Sequence, residues 1–126
     1  MRLLSLCLLI VGLAWAAASP GATQPGPGDV VAAEHWCSSG FANTDLDLQL
    51  KKHGIHKLIV TGLLAHTCVE STVRYAAELG YEVIMVKDAT ADYSDREMQA
   101  ALEVNIPNYA SAIVTAEEIV AALLPW

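Results

Sequence analysis

Apolar positions along this chain change rhythm near residue 65. Leu58-Ile59-Val60-Thr61 is a short β-rich run, the pattern of a strand covered on both faces, and Gly62 ends it. From Val69 the spacing becomes helical: Val69, Val73, Ala76 and Ala77 share one face, and Glu70 and Arg74 pair at i,i+4 on the wetter side. Thr67, with Glu70 three residues on, reads as a capping box that opens the helix. Leu79-Gly80 stops it, because glycine takes the left-handed cap without strain. Tyr81 to Val86 is a β run again. Strand, helix and strand of these lengths predict a right-handed βαβ unit and a parallel sheet.

The flanks repeat the theme. Asp29 to Ala33 is a weak strand candidate. Asn43 or Thr44 can cap a helix in which Leu46 and Leu50 share a face, with Leu48 off it and Gly54 at the end. Ser94-Asp95-Arg96-Glu97 is a second capping box, and Met98, Ala101 and Leu102 follow on one face. Pro107 predicts that this helix goes no further. Ala112 to Val114 is the centre of a short last strand. Thr115 and Glu118 form a third box, opening a helix whose Ile119, Ala122 and Leu123 are expected to face inward. Asp88 and Thr90, after the second strand, either hold their loop by side-chain to backbone bonds or border a ligand site at the strand ends. The expected architecture is an open three-layer αβα domain with a short parallel sheet.

The amino-terminal pattern is different. Arg2, the apolar stretch from Leu3 through Trp15, and Ala16-Ala17-Ala18 before Ser19 have the form of a secretory signal peptide over residues 1–18. The competing readings are an uncleaved anchor and a mis-joined gene start. A true leader implies a secreted or periplasmic protein; a wrong start implies a cytoplasmic one. Residues 19–28, SPGATQPGPG, read as a disordered linker, and the globular domain is expected over 29–126. The chain has 126 residues, so this domain can bury only a thin core. A net charge of −7 argues against nucleic acid and anionic membrane surfaces as partners.

Candidate chemistry centres on Cys68, where the turn becomes the helix. A thiol in a first helical turn feels the positive end of the dipole and ionises more readily. Amides of the same turn could hold an oxyanion. The alternative is a small core hydrophobe, the usual fate of a lone cysteine. Once a leader is removed, Cys37 and Cys68 are the remaining cysteines, a pair that an oxidising compartment could join.

The run TGLLAHTCVESTVRYAAELGYEVIMVKDATADYS, preceded by SSGFANTDLDLQLKKHGIHKLIV, resembles the isochorismatase-like cysteine hydrolase family, which includes nicotinamidases. The resemblance covers about residues 28 to 124. It implies Cys68 as the nucleophile and the backbone amides of Leu64 and Cys68 as an oxyanion hole, with a cis peptide before Leu64. It also implies a catalytic aspartate on a first strand and a lysine shortly before Ser39-Gly40-Phe41. Neither has a counterpart here. There is no Lys or Arg between Arg2 and Lys51, and the lysine position falls on Ala33. The leader stands where the family's first strand would be. The chain is thus expected to be an N-terminally truncated member with its first strand missing and a sheet edge open, a geometry that favours a homo-oligomer.

Several residues could substitute or line a pocket. Glu34 and His35 could serve as a base beside the cysteine, or be solvated loop residues. His66 could line the substrate, or point along the turn; Trp36 and Phe41 could wall a pocket, or cover the sheet edge. His53 and His56 are more simply a helix end and loop. No His-x-His ligand spacing exists, so the metal site of some nicotinamidase relatives is not encoded, and no cofactor is expected. Two function classes result. One is a cysteine hydrolase cleaving a C–N bond of a small-molecule amide. The other is a non-catalytic relative, a binding or assembly protein or a gene fragment.

Overall fold

The computed structural model of the chain describes residues 6–11, 27–33 and 35–123. Four strands lie side by side in chain order, all parallel: β1 (Leu6–Val11), β2 (Lys57–Leu63), β3 (Glu82–Ala91) and β4 (Ala112–Val114). Between them run α1 (Leu46–Lys52), α2 (Glu70–Glu78), α3 (Asp95–Gln99) and, after β4, α4 (Ala116–Leu123). This is the expected αβα arrangement around a short parallel sheet.

The edge next to β2 corrects one expectation. Leu6–Val11, part of the stretch read as a leader, pairs with β2 from Leu6–Lys57 to Val11–Gly62. A strand therefore stands at the edge that was expected to be open, and its sequence, LCLLIV, contains no aspartate. A run of β-prone apolar residues suits either a leader core or a buried strand, and periodicity cannot separate them. The two fates exclude each other, since a removed segment cannot pair. The cleavage motif Ala16-Ala17-Ala18, and residues 19–26 of the expected linker, lie outside the described residues.

The core follows the hydrophobic pattern. Leu58, Val60, Val83 and Met85 of the sheet pack with Leu46 and Leu50 of α1, with Val69, Val73 and Ala76, and with Phe41, Tyr81, Ala101 and Ile106. Ile59 and Val86 are buried outside that cluster, as expected of strands covered on both faces. Leu48 is exposed, off the apolar face as its spacing predicts. Gly54 and Gly80 both take positive φ (64° and 89°) where α1 and α2 end.

Three expectations change. Asp29 to Ala33 is irregular, and the Ala33 amide donates to Asp45 Oδ1 (2.7 Å). Helical turns continue past Pro107 to Asn108; proline sits at the start of a 3-10 turn, where its missing N–H costs nothing. In α4, Ile119 is only half-buried and Ala122 and Leu123 are exposed. A three-residue β4 offers that helix little surface to cover. What holds α4 is its start. Glu118 and Thr115 exchange bonds (Glu118 N to Thr115 Oγ1 3.2 Å, Thr115 N to Glu118 Oε2 2.7 Å), and Ala116 N donates to Asp88 Oδ1 (2.7 Å).

Tyr81 ties the start of β3 to α1. Its ring centroid lies 5.8 Å from that of Phe41, and its hydroxyl donates to Asp47 Oδ1 at 2.8 Å. Burial, and then the Asp47 carboxylate, push the phenol's ionisation well above its usual value. The folded state therefore keeps this proton after the unfolded chain has lost it. Stability from this group is full below about pH 10 and declines as pH rises beyond it. Tyr81→Phe should lose ~1 kcal/mol at neutral pH and show a shallower decline between pH 9 and 11. Urea midpoints of both proteins across that range check this.

Candidate active site

The site is built at the carboxyl end of β2. The Leu63–Leu64 peptide is cis, as the resemblance implies. Ala65–Val69 then forms a wide, π-type turn that runs into α2. Leu64 O accepts from the amides of Thr67 (3.2 Å) and Val69 (3.0 Å). The capping box expected of Thr67 and Glu70 does not form. The Thr67 amide is already engaged on Leu64 O and the Glu70 amide on Ala65 O, and the Thr67 hydroxyl instead donates to Cys68 Sγ at 3.8 Å. Glu70 is buried, not on a wet face; it accepts from Arg74 Nη2 (2.6 Å) and Asn105 Nδ2 (3.1 Å). Arg74 lies over the Tyr109 ring, 4.5 Å from its centroid.

Cys68 is half-buried, packed at the border of the core but not sealed from solvent. Its carbonyl accepts from Thr72 Oγ1 (2.7 Å), and Thr72 Oγ1 accepts from Gly40 N (2.9 Å). One fully buried hydroxyl thus joins the cysteine's own residue to the Ser39–Thr44 loop. Both Cys37 and Cys68 are free thiols.

The other anchor is Asp92. β2 and β3 pair in register from Lys57–Glu82 to Val60–Met85, and resume at Gly62–Thr90 and Leu63–Ala91. The residues of β3 in between bulge outward, closed by Thr90 Oγ1 donating to Val86 O (2.9 Å). That bulge carries the end of β3 back to the end of β2 and sets Asp92 against His66. The Asp92 side chain is 1% exposed. It accepts from His66 N (2.8 Å), His66 Nδ1 (2.7 Å) and Tyr93 N (2.8 Å). A carboxylate only accepts, so Nδ1 carries the proton. Burial disfavours the Asp92 charge, but the bonds from His66 and Tyr93 outweigh it and hold the carboxyl below its usual value.

Beyond His66 opens a cleft of about 500 Å³, walled by His66, Ser94, Arg96, Glu97, Ala100 and Asn105. Ser94 Oγ caps α3 by accepting from Glu97 N (3.3 Å) and donates to Glu97 Oε2 (2.7 Å). His66, Asp92 and Glu97 bring ligand-type atoms within 4.8 Å of one another, the one such group among the described residues. Their spacing suits a hydrogen bond better than an ion. His66 Nδ1 and Asp92 Oδ1 stand 2.7 Å apart, whereas two ligands on one small cation stand ~3.3 Å apart. Arg96 on the same wall adds a positive charge.

The other expected residues are spread out. Trp36 is exposed, and Phe41 is a core residue against Tyr81. His35 Nδ1 bonds Cys37 O in an exposed loop, and Glu34 lies outside the described residues. His53 Nδ1 bonds Gln49 O at the end of α1. Ala33, at the lysine position, is exposed. Sequence reasoning missed Thr72 and Asp92. Their signals were weak: a threonine among the apolar positions of α2, and an aspartate just past a strand's carboxyl end.

Residues 13–118 match the Isochorismatase domain. The chain is 35% identical over 102 residues to the ureidoacrylate amidohydrolase RutB of Variovorax paradoxus, covering 81% of this chain and 40% of that protein. It is 40% identical over 77 residues to the uncharacterized isochorismatase family protein YwoC of Bacillus subtilis, covering 61% and 41%. Among solved structures it is similar to an isochorismatase-like hydrolase from Alkaliphilus metalliredigens (TM-score 0.80, 25% identity, 93% of this chain, 69% of that one). It is likewise similar to an isochorismatase family protein from Burkholderia thailandensis (TM-score 0.73, 37% identity, 79% and 51%). The chain belongs to the isochorismatase family. It spans about two-fifths of the length of the curated relatives named here.

Thr72→Val keeps the shape of Thr72 and removes both of its bonds. It should destabilise the fold by ~1–3 kcal/mol, read as a lower urea midpoint at unchanged slope.

Proposed function

We propose that this chain is a cysteine hydrolase acting on the C–N bond of a small amide, with Cys68 as nucleophile. The thiolate would attack the amide carbon, the C–N bond would break, and the amine would leave with a proton. Water would then cleave the thioester. The observation that carries this reading is the half-buried, solvent-reachable Cys68 at the turn into α2. The amides of Leu64 and Cys68, at the start of the turn and within it, would be the oxyanion donors, as the family resemblance implies. Relatives named as ureidoacrylate amidohydrolase and N-carbamoylsarcosine amidase support the amide class. A nicotinamidase from Bacillus subtilis points the same way.

One observation favours the second reading, a non-catalytic relative. Between Arg2 and Lys51 there is no lysine, and β1 carries no aspartate. General acid–base steps contribute ~10²–10⁴-fold each, so a chain without both partners turns over slowly. The reading needs no cofactor. It includes a homo-oligomer, because β1 and β4 present edges with no further strand among the described residues. It includes export only if the mature protein starts at Ser19, which intact mass decides.

Incubation with a panel of primary amides and ureido compounds should release ammonia from the wild-type protein and none above background from Cys68→Ala. Equal release from both would leave the non-catalytic reading in place.

A further inference from the structure

The cleft wall, the His66–Asp92 pair and the bulge in β3 meet at one residue that the proposed chemistry does not use. The Asp92 side chain is buried, so its charge has to be balanced by hydrogen-bond donors. All the hydrogen-bond donors named above for it come from two places, the Cys68 turn and its own loop. The bond that matters most is to the backbone. His66 N lies between Leu64 and Cys68, the two residues whose amides are assigned to the oxyanion, and Asp92 Oδ2 takes it at 2.8 Å. The neighbouring amides of Thr67 and Val69 are taken by Leu64 O. The imidazole then closes over the same carboxylate through Nδ1. Two fixed points therefore set the path of the turn. One is Thr72 on the Cys68 carbonyl, after the thiol; the other is Asp92 on the His66 amide, before it.

We infer that Asp92 is a positioning residue: from the end of β3 it clamps the His66 amide and ring, and so fixes the turn that presents Cys68. This rests on Cys68 being the nucleophile, but the clamp can be read separately from the chemistry. His66 lines the cleft, and its ring is held by Asp92 through Nδ1.

The experiment compares iodoacetamide alkylation of Cys68 with that of the exposed Cys37 in the same molecule, by peptide mass spectrometry. Hydrogen exchange of the His66 amide is followed by NMR in parallel. In the wild type, Cys68 should react faster than Cys37. If it does not, the nucleophile reading fails, while the exchange arm still tests the clamp. Asp92→Ala should speed His66 amide exchange at least tenfold and lower the Cys68-to-Cys37 ratio several-fold. Asp92→Asn retains an acceptor oxygen and should restore both in large part. Thermal melts identify any variant that has lost its fold, and Asp92→Asn then carries the comparison against the wild type. Unchanged exchange in Asp92→Ala would overturn the inference. So would faster exchange with an unchanged alkylation ratio, which makes Asp92 an anchor without effect on the thiol.

Discussion

A carboxylate that is almost wholly buried, yet charged, must be surrounded by donors, and Asp92 is. Its donors come from the His66 amide and ring and from Tyr93. The consequence reaches beyond one residue. β3 has to bulge after Val86 for Asp92 to arrive there, and the bulge is closed by Thr90. The turn after β2 has to face that arrival with its own amide. Strand irregularity, buried charge and cysteine turn are therefore one arrangement, in which loss of any part leaves a buried polar group without a partner.

The same logic explains why the turn is wide. An α-helix beginning at Thr67 would have used the Thr67 hydroxyl and the Glu70 carboxylate as its caps. Here the backbone turns earlier, at Ala65, and Leu64 O takes two amides. Glu70 is released to hold Arg74 and Asn105, joining α2 to the helical turns after α3. Irregular turns of this kind gather at functional sites, and here the irregularity sits on the cysteine.

The molecule is strong in the middle and thin at its margins. Leu58, Val60, Val83, Met85 and Val73 are fully buried, and each large aliphatic side chain contributes ~1.5–3 kcal/mol on burial. α4 has no buried residue, and β4 has three residues in all. The two curated relatives named above are more than twice as long as the stretch they share with this chain. The Cys68 turn, built within β2, α2 and β3, stands on the thick part of that structure.

Much of this was legible in the chain itself. The rhythm from Leu58 to Val86 indicated strand, helix and strand, because burial selects for periodicity; Gly80 follows the helix end, while β2 runs past Gly62 to Leu63. The boxes at Ser94 and Thr115 were readable because caps bond within three or four residues. Cys68 stood out by its place in the motif. Tertiary structure alone decided that Thr72 reaches Gly40 and that Asp92 reaches His66, since those bonds span 32 and 26 positions. It also decided that Leu6–Val11 is a strand: an apolar run has no preferred fate until a parallel neighbour offers it hydrogen bonds.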